Sequence, residues 1–140
     1  MDAFDADVLI YAATPEHPMG RRVLALFPKE ATAQATALVG IGSVVLLPEV
    51  LSKPTREGAE EELANLEALV GHLDLRPTDH ATAELAAQLG ARYRLQAADA
   101  VHLATAVAAG ADRFLTHNQR DFPRTITEID ITYPTDLPDP

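Results

Sequence analysis

The chain has 140 residues, 47% apolar and 23% charged, which suits one folded domain with a real core and excludes a disordered chain. It has no cysteine, so a disulfide frame, a thiolate metal site and a cysteine nucleophile are all excluded. The net charge of −10, from 21 acids against 11 bases, speaks against a broad phosphate-binding surface and suits a site that gathers divalent cations, or a basic protein partner.

In chain order, residues 1–5 read as a short strand, followed by a helical turn over 8–13. "TPEHP" breaks the chain, and a helix over 19–27 follows. "ALVGIGSVVL", residues 37–46, has the length and β-branched content of a buried strand. "LPEVLSKP" starts a short helix that Pro54 is expected to end. Leu63, Leu66, Leu69 and Val70 recur at helical spacing, with the Glu residues of "REGAEEELANLEALV" on the outer face. "HLDLRP" reads as a third strand and "TDHATAELAAQLG" as a helix, with Thr78 as N-cap and Gly90 as stop. "AADAVHLATAVAAG" is a helix of small apolar residues, to be deeply packed. "DRFLTHN" is a fourth strand, and "ITEIDITY" a fifth at the edge. Strands alternating with helices imply βαβ units and an α/β fold on a parallel sheet. One domain over residues 1–134 with a Pro-rich tail over 135–140 is expected. The start "MDAFDAD" is acidic where a secretory signal is basic. The longest charge-free stretch, residues 31–48, carries too many polar residues and glycines for a spanning helix, which needs about 20 mainly apolar residues. A soluble, cytoplasmic protein is expected.

Ligands of parallel sheets bind at the carboxyl ends of the strands. Asp5 ends the first strand, Glu49 follows the second, Asp99 opens an apolar helix, and Asn118 and Asp121 follow the fourth strand. Two carboxylates about 4 Å apart at an effective dielectric near 20 repel by roughly 4 kcal/mol. A cluster of three therefore calls for protonation, bound cations or a basic residue from a partner. Hard oxygen ligands without cysteine suit Mg²⁺ or Mn²⁺, and such ions activate water and stabilise a leaving oxygen in phosphodiester hydrolysis.

"FDADVLIYAA", "SVVLLPEVLS" and "AADAVHLATAVAAGADRFLTHNQRDF" resemble the successive blocks of PIN-domain ribonucleases, most of all VapC-type toxins of type II toxin–antitoxin pairs. The resemblance runs from residue 4 to residue 122, and its third block is the most specific. It implies a PIN-like, Rossmann-like three-layer α/β/α sandwich with a mostly parallel sheet of four or five strands. It further implies that Asp5, Glu49 and Asp99 are metal ligands, and that the family's fourth position falls on Asn118, with Asp121 close behind. Asp7 stands where the family usually has Asn. The implied activity is Mg²⁺- or Mn²⁺-dependent endoribonuclease cleavage of single-stranded RNA. The implied partners are a cognate antitoxin that inserts an Arg into the acidic pocket, and a second copy of the chain in a homodimer.

Each residue also has an ordinary structural role open to it. Asp5 and Asp99 can cap helices, Glu49 can complement a helix dipole, and Asn118 and Asp121 can make turns. His102, one turn after Asp99, reads as a hydrogen-bonded core histidine or as a general base. His117 reads as structural, and Thr116 as a hydrogen-bond donor to a site carboxylate or to a phosphate. Lys53 and Arg56 suit solvent better than RNA, and "GIG" lacks the flanking residues of a phosphate loop. An Asp5-x-Asp7 phosphohydrolase would need a late catalytic Lys, whereas the only lysines are Lys29 and Lys53. A catalytically weak PIN-like domain that binds protein or RNA is the remaining alternative.

Overall fold

The computed structural model describes residues 1–29 and 37–140. The part of the charge-free stretch within 30–36 lies outside the described residues. The chain runs β1 (Asp2–Phe4), α1 (Ala6–Ala12), α2 (Pro18–Leu24), β2 (Gly40–Ser43), α3 (Leu46–Glu57), α4 (Glu60–Val70), β3 (Leu73–Arg76), α5 (His80–Tyr93), α6 (Ala97–Ala108), β4 (Arg113–Leu115) and β5 (Asp130–Thr132), then a 3₁₀ turn over Pro134–Asp136. The five strands form one sheet in the order β3-β2-β1-β4-β5, with every pairing parallel. The expected α/β architecture and the edge position of the fifth strand are both found.

Strand periodicity divides the core into two layers. Ala3 and Phe114 point to one face of the sheet, whereas Phe4 and Leu115 point to the other. Leu89, Ala100, Leu103 and Ala104 of α5 and α6 cover the first face, together with Phe122 and Ile126. Val8, Leu9, Val23, Leu46, Val50 and Leu66 of α1 to α4 cover the second. The "GIG" of β2 is a packing device. A Cβ on Gly40 would lie 2.5 Å from the Phe4 ring, and one on Gly42 would lie 2.5 Å from Leu46. Beyond β5, Leu137 is buried and its carbonyl accepts from the Arg22 guanidinium at 2.8 Å.

Several local expectations are corrected. The second strand stops at Ser43, whose hydroxyl accepts from Val45 N at 3.1 Å and so opens the turn into α3. Pro54 does not end α3, because its buried ring packs inside the helix, which continues to Glu57 and stops at left-handed Gly58. Asp79, not Thr78, caps α5 by accepting from Thr82 N at 2.8 Å, since a carboxylate also complements the helix dipole. Gly90 lies inside α5, which runs on to Tyr93 and ends where Arg94 takes the left-handed conformation. The helix after "TPEHP" is Pro18–Leu24, capped at its start by the ring of His17, and it ends at Ala25, short of Phe27.

Candidate active site

A parallel sheet brings the ends of β1, β2 and β4 to one edge, and each is followed by a site residue or by the helix that carries one. Asp5 ends β1 and is the N-cap of α1, only 5% exposed. Its Oδ1 accepts from Ala6 N and its Oδ2 from the Thr116 hydroxyl, both at 2.8 Å. Its own N–H donates to Leu115 O at 2.9 Å. Asp5 therefore caps a helix while its carboxylate lies buried at the carboxyl edge of the sheet. Thr116 is fully buried and also accepts from Asn118 N at 3.1 Å, so one hydroxyl joins Asp5 to the loop after β4.

Asp99 lies in the first turn of α6 and Glu49 in the first turn of α3. His102 of α6 is buried, and its Nε2 lies 2.8 Å from Glu49 Oε1. It is the expected core histidine, but its partner is a site carboxylate. Asn118 and Asp121 hold each other: the Asn118 amide donates to Asp121 Oδ2 at 2.8 Å, and Asp121 N donates to Asn118 Oδ1 at 3.1 Å. The Arg120 guanidinium, itself exposed, also donates to Asp121. Asp7 points its carboxylate at the same loop, where both oxygens accept from His117 N at 3.1 and 3.2 Å. One turn further along α1, the Tyr11 ring stacks on His17 with centroids 4.2 Å apart and meets His117 edge-on at 5.0 Å. Asp7 thus braces the loop after β4, and His117 is structural in the same sense.

The electrostatics bind these residues into one site. Burial pushes the Asp5 carboxyl up, with the Asp99 charge adding to it against the opposing pull of His102, Thr116 and Ala6 N–H. Asp99 is also raised, first by burial, then by the charges of Asp121 and Glu49. Asp7 is raised to about 6 by burial and by Asp5. Burial alone would lower the His102 imidazole. The Glu49 hydrogen bond and the charges of Asp5, Glu49 and Asp99 outweigh it and hold His102 above the ordinary histidine range. Asp121, bonded to Asn118 and Arg120, is held below the usual carboxylate range. Negative charge is therefore concentrated and only partly neutralised around Asp5, Asp7 and Asp99.

Among the described residues, no group of three or more His, Asp or Glu side chains is arranged to enclose a cation. The donor chemistry nevertheless suits a hard divalent ion. Three carboxyl groups are raised by desolvation and mutual repulsion, and a cation would relieve both. The Asp99 carboxylate accepts no hydrogen bond from the described residues, so its oxygens are free to bind.

The PIN domain family model matches residues 3–126, most of the chain and every residue placed above. The chain belongs to the PIN domain family. PIN domains are generally nucleases and generally use divalent metal ions. A toxin–antitoxin complex from Klebsiella pneumoniae has a similar fold, with a TM-score of 0.70 at 20% identity over 96% of this chain and 98% of that one. VapBC2 from Rickettsia felis, bound to a DNA fragment from its promoter, gives 0.69 at 14% identity over 94% and 97%. FitAB bound to an IR36 DNA fragment gives 0.64 at 20% identity over 99% and 98%. At these identities the likeness bears on the fold, and it bears out the PIN-like sandwich. No curated protein sequence matches the chain significantly. No helix among the described residues is long and apolar enough to cross a membrane.

The residue types that sequence reasoning undervalued are the connectors. His102 was weighed without a partner, because nothing in the local sequence says that α3 and α6 meet. The Asp7–Tyr11 spacing of four residues on one helix face was the available signal for the brace on His117.

Proposed function

We propose that this PIN domain is an Mg²⁺- or Mn²⁺-dependent endoribonuclease, the cytoplasmic toxin of a toxin–antitoxin pair. The observation that carries the reading is the group of raised carboxyls at the sheet's carboxyl edge, Asp5, Asp7 and Asp99, with Glu49 held nearby. Asp5, Glu49 and Asp99 would hold the ion. When bound there, a divalent ion supplies Lewis-acid chemistry, drawing charge from a phosphodiester and easing ionisation of the attacking water.

The chain's own residues do the rest. Thr116 and Ala6 N–H fix the Asp5 carboxylate against the core, so its charge cannot swing away from the edge. Asn118 orients Asp121 and is engaged in doing so, which supports Asp121 as the acidic group at the fourth position with Asn118 as its holder. The acidic surface limits how RNA is gripped, and contact is local to the site or to a groove formed by a homodimer. The fold neighbour from a Klebsiella pneumoniae toxin–antitoxin complex supports a protein antitoxin as partner.

The test is cleavage of single-stranded RNA by the purified chain, free of any partner, in Mn²⁺ and in excess chelator. Cleavage in Mn²⁺, lost in chelator and in Asp99→Asn, supports the reading. Equal cleavage by wild type and Asp99→Asn refutes it. The absence of an enclosing carboxylate set among the described residues favours a second reading, a PIN-like domain that binds protein or RNA without catalysis. RNA binding without Mn²⁺-dependent cleavage would support that one.

A further inference from the structure

Every site carboxylate except Asp99 and Glu49 is held by two or more hydrogen bonds from the protein. Asp5 has Ala6 N and the Thr116 hydroxyl, Asp7 accepts His117 N with both oxygens, and Asp121 has Asn118 and Arg120. Glu49 has one, from a ring on another helix. The Glu49 side chain is 31% exposed at the head of α3, with several rotatable bonds and one anchor. The anchor is rigid: the His102 side chain is 0% exposed and sits one turn after Asp99 on α6, on the same helix face.

The geometry at the imidazole is equally specific. Among the described residues Nδ1 is buried with no hydrogen-bond partner, and the ring's one hydrogen bond is Nε2 with Glu49 Oε1 at 2.8 Å. An ionised carboxylate can only accept, so Nε2 carries a hydrogen and donates to Glu49 whether the ring is neutral or protonated. With Nε2 occupied and no solvent access, His102 cannot take a proton from an attacking water.

We propose that His102 is a positioning residue: by holding Glu49 Oε1 it fixes this carboxylate relative to Asp99 and leaves Oε2 free as a cation ligand. The inference rests on the metal-binding part of the proposed function. It assigns no contact between His102 and substrate. Donors that orient a ligand in this way typically change metal affinity about 10–100-fold when removed.

The experiment measures Mn²⁺ binding to the partner-free protein without RNA, by calorimetry and by the loss of the free-Mn²⁺ electron paramagnetic resonance signal. His102→Leu keeps apolar bulk and removes the donor, and a fall in Mn²⁺ affinity of about 10-fold or more is expected. His102→Gln places an amide N–H close to the position of Nε2 and is expected to recover most of the affinity, whereas His102→Asn is too short to reach Glu49. Circular dichroism checks the fold of each variant. If His102→Leu fails to fold, the Gln and Asn variants decide by the same contrast. Unchanged Mn²⁺ affinity in folded His102→Leu, or equal affinity in the Gln and Asn variants, overturns the inference. A wild-type protein that binds no Mn²⁺ overturns it together with the metal-dependent nuclease reading. Binding that His102→Leu weakens, in a protein that cleaves no RNA, supports the positioning role and refutes only the nuclease.

Discussion

Replacing Thr116 by Val tests whether the site is wired into the core as the hydrogen bonds indicate. Valine keeps the shape of the side chain and removes the hydroxyl, which donates to Asp5 Oδ2 at 2.8 Å and accepts from Asn118 N at 3.1 Å. Losing a hydrogen bond to a buried charge costs about 1.5–3 kcal/mol, and leaving the partly buried Asn118 N–H unpaired costs about 1 kcal/mol. The added methyl recovers about 0.8 kcal/mol. The net loss expected at pH 8 is about 2–3 kcal/mol, measured by urea unfolding. The pH dependence sharpens the test. Burial raises the Asp5 carboxyl above its ordinary value of 3.8, so ionised Asp5 is penalised at neutral pH and stability rises as pH falls through the raised value. Once that carboxyl is protonated, Thr116 forms only a neutral hydrogen bond with it. The difference between wild type and variant should then shrink to about 1 kcal/mol. Thr116→Ser keeps the hydroxyl and should lose only about 1 kcal/mol, for its missing methyl. A Thr116→Val penalty under 1 kcal/mol at pH 8, or one that does not change with pH, would refute the reasoning.

Two further outcomes follow from the same charges. Saturating Mn²⁺ should stabilise the chain by about 2.7 kcal/mol at one hundred times its dissociation constant. The shift in thermal midpoint should be larger at pH 8 than at pH 5, because protons compete for Asp5, Asp7 and Asp99, all raised; a midpoint indifferent to Mn²⁺ at pH 8 would count against the site. Asp7→Asn keeps an acceptor for His117 N and removes a charge whose carboxyl is pushed to about 6. Its penalty is complete above that value and relieved as pH falls towards 3.8, so the variant should gain about 3 kcal/mol at pH 8 and little at pH 4, as chemical unfolding at the two pH values would report.

The fold was legible where periodicity and length agree. The small-residue run of α6 is deeply packed, and Leu66, Leu69 and Val70 of α4 are buried as their helical spacing predicts. Boundaries were less legible, for reasons that lie in tertiary contact. Gly90 looks like a helix stop, but the left-handed residue that ends α5 is Arg94. Pro54 looks like a helix end until its ring is seen to be buried in the turn before Gly58. Adjacent Thr78 and Asp79 are both good caps, and only the bond to Thr82 N separates them. The site behaves similarly. Asp5, Glu49 and Asp99 stand out as charges beside apolar segments, but the side chains that hold Glu49 and Asp5, His102 and Thr116, are 53 and 111 residues away in sequence. No local pattern carries that information.

The position of β1 has a consequence for how the protein is made. This three-residue strand lies at the centre of the sheet, yet its neighbours are β2 and the late strand β4. Asp5 emerges from the ribosome well before the carbonyl and hydroxyl that fix it, which lie on Leu115 and Thr116, 110 and 111 residues later. Pairing over such separations is slow because the intervening loop must be closed first. A nascent or truncated chain that ends before β4 therefore carries Asp5, Glu49 and Asp99 without the framework that sets them against one another. The acidic site is assembled only once β4 has been made and has paired with β1, so synthesis itself delays its completion.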